Sequence, residues 1–419
     1  MAEHMPDHTT PDHSAPDHSA PDHSAPDHSA PDHSAPDHSA RPAALSRRRF
    51  VAGVGGLAGL AGLAACDPAS PFTTRPFTTR PFTPRAANPR PFNPDGAKGA
   101  FALLPLSGSA AAVGQDMARA MSLAASGQTL PTTLDCGDSA ETATTAARTA
   151  LAAHARLILG PLRADQVPAV LALAGTVPVV TFSNDESLAG SGAFLLGVTP
   201  AQSVATMFSY ARSQGASRVA LVAADTPYGR ASASAAQAIA TAGGLHLSAI
   251  LLRDPAAPGL VSALRSASGG VMPEAVLLPD RGAALQAFAR GLRAARVQIM
   301  GSLQWGLGAD ATALANPDLD GAWFAAPPPA AFQAFADRFE AAFGTTPGFV
   351  AALGFDAATL ALSRAASPAA TRKAILRPQG FDGALGHFQF RQNGTCSRNL
   401  AVLSLKNTQI TQIAEVTET

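Results

Sequence analysis

The sequence predicts two α/β lobes, each a doubly wound parallel sheet covered by helices on both faces. The lobes face one another across a cleft, and the chain ends in a hairpin. Three observations carry this. From about Gly99 onward, short apolar runs alternate with helical segments. The runs are apolar at consecutive positions, as strands buried on both faces must be. The alternation stops and restarts near residue 200, giving two units of similar size.

The elements follow in order. Ala100–Leu106 reads as a strand that ends at the turn Ser107-Gly108, and Val113–Ser126 has helical spacing. Leu130–Leu134 is a strand. Ser139–His154 is an Ala-rich helix with Ser139 as its cap and Glu141 in its first turn. Leu157–Leu159 is a buried strand stopped by Gly160-Pro161, Asp165–Ala174 a helix and Val177–Phe182 a strand. The second unit repeats the pattern. Helices are expected at Gln202–Ser213, Tyr228–Ala242, Leu260–Ala267 and Arg281–Ala294. They alternate with strands at Arg218–Ala223, Leu245–Leu251, Ala275–Leu278, Val297–Met300 and Ala322–Ala326. Three helices follow, at Ala330–Phe343, Val350–Ala366 and Ala369–Leu376. Phe388–Arg391, the turn Gln392-Asn393-Gly394 and Leu400–Leu405 are expected to form the hairpin.

The first hundred residues are of another kind. Residues 11–40 are six perfect copies of Pro-Asp-His-Ser-Ala, and residues 1–40 carry eight of the eleven histidines. Without large apolar side chains this tract cannot offset its ordering entropy, so residues 1–45 are expected to be disordered. A His-rich tract can bind metal weakly; tandem expansion without a role is the simpler explanation. No Met lies between Met5 and the next segment, so a start at a non-Met codon near Leu45 would leave the repeat untranslated. Residues 46–66 combine a basic start, an apolar run from Val51 to Ala65 and Cys66. That is the form of a secretory signal. Arg47-Arg48 with Phe50 resembles a twin-arginine export signal. Leu63-Ala64-Ala65-Cys66 resembles a lipobox, which implies a lipidated Cys66. Residues 67–98 contain three copies of Pro-Phe-Thr-Thr/Pro-Arg and read as a semi-extended linker. The arginines of this linker can rest on anionic headgroups.

Composition excludes several classes. Thirty basic and thirty acidic residues cancel, which gives no electrostatic case for nucleic acid. No apolar run approaches the ~20 residues that span a bilayer. Three cysteines are too few for a disulfide scaffold or a four-thiolate zinc site. A Cys136–Cys396 bridge is one possibility and two separate thiols the other. No Gly-x-Ser-x-Gly elbow, His-Glu-x-x-His or Walker loop is present. His154, His246 and His387 read as surface or edge residues. No enzyme activity, cofactor or metal is expected.

Phe101-Ala102-Leu103-Leu104-Pro105-Leu106-Ser107-Gly108 with Val113-Gly114-Gln115 resembles the opening of type I periplasmic binding proteins of the Leu/Ile/Val-binding family. Ile158–Leu162, Val177–Asn184, Tyr228-Gly229-Arg230 and Trp323–Pro327 follow in family order. The resemblance spans about residues 99–410. It implies that family's bilobal fold, with lobe 1 at about 99–197 and 327–366, and lobe 2 at about 198–326 and 367–415. The Leu-Leu-Pro-Leu-Ser-Gly and Phe-Ser-Asn-Asp versions resemble penicillin-binding-protein activator lipoproteins, which are non-catalytic partners of peptidoglycan synthases.

Ligands of such folds sit beyond the C-terminal strand ends. In lobe 1 that edge holds Ser107, Gly108, Arg163, Ser183, Asn184 and Asp185. Family members that bind amino acids hold the α-carboxylate with hydroxyls and amides there. Asp185 stands where a Thr is expected and would repel a carboxylate unless Arg163 offsets it. In lobe 2 the edge holds Asp225, Tyr228, Asp280, Arg281 and Trp305. Plain structural roles stand beside these: Asp225 and Asp280 as helix caps, Trp305 as core, Arg163–Asp185 as an ion pair. Two functions remain. The first reading, favoured by the motif variants and by the missing carboxylate clasp, is an activator that acts by contact with a peptidoglycan synthase. The alternative is the substrate-binding subunit of an ABC importer, partnered by a permease and a small solute such as a branched-chain amino acid. Both place the chain on the periplasmic face of a membrane through a lipid anchor. Asp67 favours the inner membrane.

Overall fold

A computed structural model describes residues 97–125, 127–306, 316–363 and 368–416. The repeats, Arg47, Arg48, Phe50, Cys66, Asp67 and nearly all of the linker lie outside the described residues. The chain divides into two units, residues 1–67 and residues 68–419, and the architecture below belongs to the second.

Lobe 1 opens with β1 (Ala100–Leu104), α1 (Ala111–Ala125), β2 (Thr132–Asp135) and α2 (Ala140–Ala152). It continues with β3 (Leu157–Leu159), α3 (Val167–Ala174), β4 (Val179–Thr181) and β5 (Phe194–Leu195). The five strands are parallel, in the order β2-β1-β3-β4-β5. Ser139 caps α2 as expected. Its hydroxyl accepts from the Thr142 amide and its amide donates to Thr142 Oγ1, which satisfies two otherwise orphaned donors.

Lobe 2 contains α4 (Pro200–Ser213), β6 (Arg218–Ala223), α5 (Pro227–Gly243), β7 (His246–Leu252) and α6 (Leu260–Ala267). Then come β8 (Ala275–Leu278), α7 (Gly282–Leu292), β9 (Gln298–Gly301) and β10 (Trp323–Ala326). The chain returns to lobe 1 for α8 (Pro329–Phe343), α9 (Phe349–Leu362) and α10 (Pro368–Ile375). A three-stranded antiparallel sheet follows: β11 (Phe381–Gly383), β12 (Gly386–Phe390) and β13 (Cys396–Arg398). β14 (Leu400–Lys406) and β15 (Gln409–Val416) complete the second sheet, in the order β15-β14-β10-β9-β8-β6-β7. Only β14 runs against the other strands, pairing antiparallel with β10 on one side and β15 on the other.

Helix α9 is the centre of lobe 1. Every residue from Ala351 to Leu362 is buried, against α1, α8 and the small sheet. Its only charge, Asp356, meets Arg398 of β13 in an ion pair of 2.8 Å, with both side chains fully buried. Asp356 Oδ1 also accepts from the Ala384 amide at 2.6 Å. Burial pushes the Asp356 carboxyl up, and the Arg398 charge with the Ala384 and Leu385 amides opposes that rise.

Two expectations are corrected. Phe388 and its neighbours pair with Cys396–Arg398, whereas Leu400–Lys406 pairs with β10 and β15. The expected hairpin therefore joins different strands. Ile375, Phe381, Leu385, Phe388, Phe390 and Cys396 belong to the lobe 1 core, so residues 368–398 pack with lobe 1 and not with lobe 2. Among the described residues, no helix is long and apolar enough to cross a membrane.

Candidate functional site

The chain crosses between the lobes at residues 196–199, 327–328 and 399. The first crossing leaves the C-terminal end of β5. It enters α4, which runs back along lobe 2 and so begins at that sheet's C-terminal edge. The second leaves the C-terminal end of β10. The third enters β14, whose Ala401 pairs with Ala326, the last residue of β10. All crossings thus join the C-terminal strand edges, and those edges bound one cleft.

On lobe 1, the Ser107-Gly108 turn is exposed and held by two carboxylates. Asp135 Oδ1 accepts from the amides of Leu106, Ser107 and Gly137 at 2.9, 3.2 and 2.9 Å. Asp138 Oδ2 accepts from the Ser109 amide at 2.6 Å. Gly108 has φ +78°, and a Cβ there would lie 2.1 Å from Asp138 Oδ2, so glycine is required. Slight burial pushes the Asp135 carboxyl up, but the hydrogen bonds outweigh it and hold the carboxyl below its ordinary value. Its contribution is therefore present above the usual carboxylate range and is lost as pH falls through the lowered value. Asp135→Asn is expected to be the less stable protein at neutral pH, with the gap closing on acidification in urea melts at several pH values.

Arg163 does not meet Asp185. Its Nε and Nη2 contact the two oxygens of Asp165 at 3.2 and 3.1 Å, since the two residues flank one turn. Ser183 is buried, and its Oγ accepts from the Asp185 amide at 3.1 Å. Asn184 and Asp185 are exposed, and Asp185 Oδ1 accepts from the Ser187 amide at 3.0 Å. The second Asp185 oxygen has no protein donor among the described contacts.

On lobe 2, exposed Asp225 pairs with Arg230, and Thr226 caps α5 in its place. Asp280 is buried, and its Oδ2 accepts from the Ala224 amide at 3.0 Å, tying the end of β8 to that of β6. Burial raises its carboxyl against that hydrogen bond. Arg281 precedes α7 and is exposed. Tyr228 presents a half-buried ring. Burial raises its hydroxyl, and the nearby Ser302, Ser203 and Gln304 side chains oppose that rise.

Trp305 is a correction. It is 1 % exposed, stacks on Phe324 at 5.7 Å and donates Nε1–H to the Leu278 carbonyl at 3.0 Å. It has no face to offer a ligand. Cys136 and Cys396 are buried thiols, not bridged. Burial, with Asp135 nearby, pushes Cys136 up to about 12. His387 Nδ1 lies 2.8 Å from Asp382 Oδ1, and His154 and His246 are exposed. Among the described residues, no group of three His, Cys, Asp or Glu side chains is placed to hold a metal.

Sequence reasoning missed Ser203, Ser302 and Gln304, which surround the Tyr228 hydroxyl. Their signal was position alone: Ser302 and Gln304 follow β9, and Ser203 lies in the first turn of α4. It also missed the crossings' fasteners. Thr199 Oγ1 donates to Glu186 of lobe 1. Gln202 Oε1 accepts from the Thr199 amide at 3.0 Å, while its Nε2 donates to the Cys396 carbonyl. One buried side chain thereby links the first crossing to the strand that leads into the third.

A bilobal α/β protein with three crossings that join the strand-end edges has the architecture of a periplasmic binding protein. Residues 102–409 match the family described as periplasmic binding protein. The chain belongs to the type I periplasmic binding proteins of the Leu/Ile/Val-binding family. A structure assigned as a branched-chain amino acid ABC transporter from Rhodospirillum rubrum is 20 % identical, with TM-score 0.66, over 75 % of this chain and 99 % of that one. A branched-chain amino acid ABC transporter periplasmic ligand-binding protein from Burkholderia xenovorans is 18 % identical, with TM-score 0.62, over 76 % and 95 %. A solute-binding protein of an ABC transporter from Rhodopseudomonas palustris, solved with 3,4-dihydroxybenzoic acid, is 18 % identical, with TM-score 0.57, over 76 % and 96 %. At these identities the likeness is one of fold. No curated protein matches the sequence.

Proposed function

We propose that the chain is the substrate-binding subunit of an ABC importer, carrying a small solute and performing no chemistry on it. The observation that carries this is the lobe 2 strand edge. There the partly buried Tyr228 lies near Ser203, Ser302, Gln304 and Asp280. An aromatic side chain among polar groups at a strand edge is a platform for a small ligand. Exposed Ser107 and Asn184 supply polar groups from the facing lobe. Hinge closure would bury the solute between them. The similar transporter proteins support this reading. The activator reading, which the sequence put first on its motif variants and missing carboxylate clasp, finds no support among the similar proteins and comes second. Cys66 is proposed as the lipid anchor on the periplasmic face, with Asp67 favouring the inner membrane and a permease as the partner.

The proposed solute is not a simple zwitterionic amino acid. Asp185 stands at the lobe 1 edge and Arg163 is taken by Asp165, so a ligand carboxylate would meet an uncompensated negative charge. Repulsion of this kind costs several kcal/mol. Calorimetric titration with leucine is expected to show no binding; a micromolar dissociation constant would overturn the specificity.

A further inference from the structure

The far pole of lobe 2, opposite the cleft, carries a patch that solute binding does not use. Helices in a doubly wound sheet run back against the strands, so their C-terminal ends lie at the N-terminal strand edge. Arg265 lies in the last turn of α6 and Arg290 in that of α7, with Arg293 and Arg296 in the turn that follows. All four are exposed. Arg293 touches Asp318 at 3.4 Å yet stays 74 % exposed; the other three have no acidic partner among the described contacts. Glu274, Asp318 and Asp320 lie at the same edge, so the arginines leave a small net positive charge there, while Asp280 is at the opposite strand ends. Glu274 accepts from the Ser217 and Arg218 amides, and Asp280 from Ala224.

These arginines flank an apolar hollow of about 660 Å³ lined by Leu260, Val261, Arg265, Gly270 and Gly291. Val271, beside it, is 59 % exposed. Basic residues complement helix C-termini, as Arg212 does in α4 and Arg372 and Lys373 do in α10, and Arg265 and Arg290 have that role too. Arg293 and Arg296 lie past α7 and have no such account.

We infer that this pole docks on an anionic phospholipid surface. A net positive charge, spread over several turns around an apolar hollow, complements a layer of phosphates above acyl chains. The sequence allows the approach. Thirty residues separate the proposed anchor Cys66 from Ala97, a reach of up to about 100 Å against a radius of gyration of about 20 Å for the folded part. Docked by this pole, the protein would keep its cleft clear of the bilayer.

The test uses residues 68–419, a compact unit that lacks Cys66, so its outcome is independent of the anchor and of solute binding. Co-sedimentation is measured with vesicles of phosphatidylglycerol in phosphatidylcholine and of phosphatidylcholine alone, at low and physiological salt. Preference for the anionic vesicles, weakened by salt, is expected. Each of Arg265→Gln, Arg290→Gln and Arg296→Gln should lower partitioning about fivefold. The lobe 1 control Arg148→Gln should change nothing, and all variants should melt like the parent. Equal partitioning to both lipids, or an unchanged triple variant, would overturn the inference. So would indifference to vesicles combined with retention by a purified permease that the triple variant loses, since the face would then belong to a protein.

Discussion

Arg398→Met is expected to destabilise residues 68–419 by about 3–5 kcal/mol, because it strands Asp356 as an unpaired charge inside lobe 1. Both partners are fully buried at 2.8 Å, and the guanidinium carbon lies 4.8 Å from the Phe388 ring centroid. Among the described residues, Arg398 Nε and Nη2 have no hydrogen-bond partner, so the pair is costly as well as binding. The double variant Asp356→Leu/Arg398→Met should therefore recover most of the loss in urea denaturation. The pH dependence follows. Without Arg398 the folded Asp356 carboxyl rises further above its unfolded value, so the folded state takes up a proton first. The penalty of the single variant should shrink as pH falls. A double variant no more stable than the single one, or a penalty that grows on acidification, would contradict this account.

Trp305→Ala is expected to cost about 3–5 kcal/mol in stability while leaving solute affinity nearly unchanged. The indole fills lobe 2 against Phe324, and its N–H is satisfied by the Leu278 carbonyl. The packing is tight enough that a Cβ on Gly301 would lie 2.3 Å from the Trp305 ring. Tyr228→Ala should do the reverse, since its ring is partly exposed at the cleft. Thermal melts and titrations of the two variants separate core from ligand contact. A stable Trp305→Ala protein with more than tenfold weaker binding would return Trp305 to the cleft.

The sheets were legible because parallel strands buried on both faces read as unbroken apolar runs, as in Leu157–Leu159 and Ala275–Leu278. The strands that were missed lack that signature. β5 has two residues, β13 reads Cys-Ser-Arg with its arginine buried by a distant aspartate, and β15 is largely exposed. Strand polarity was enough to place the cleft-edge residues. Their partners were not readable, because they depend on turn geometry. Arg163 reaches Asp165 two positions away and not Asp185, and Asp280 bonds a neighbouring strand end where a helix cap was the plain expectation. Trp305 lies on the connection after β9, and only packing shows that this connection folds inward. Ser203 and Ser302 carry no motif; they matter because two elements meet at the Tyr228 hydroxyl.

The central claim, that the cleft holds a small solute at the Tyr228 edge, is tested most directly by thermal denaturation of residues 68–419. The panel comprises amino acids, peptides, aromatic acids and wall fragments. A ligand at a hundred times its dissociation constant adds about 2.7 kcal/mol, a shift of several degrees. The account predicts one such shift from a small solute, lost in Tyr228→Ala. Silence across the panel, together with retention of the protein by a peptidoglycan synthase, would contradict it.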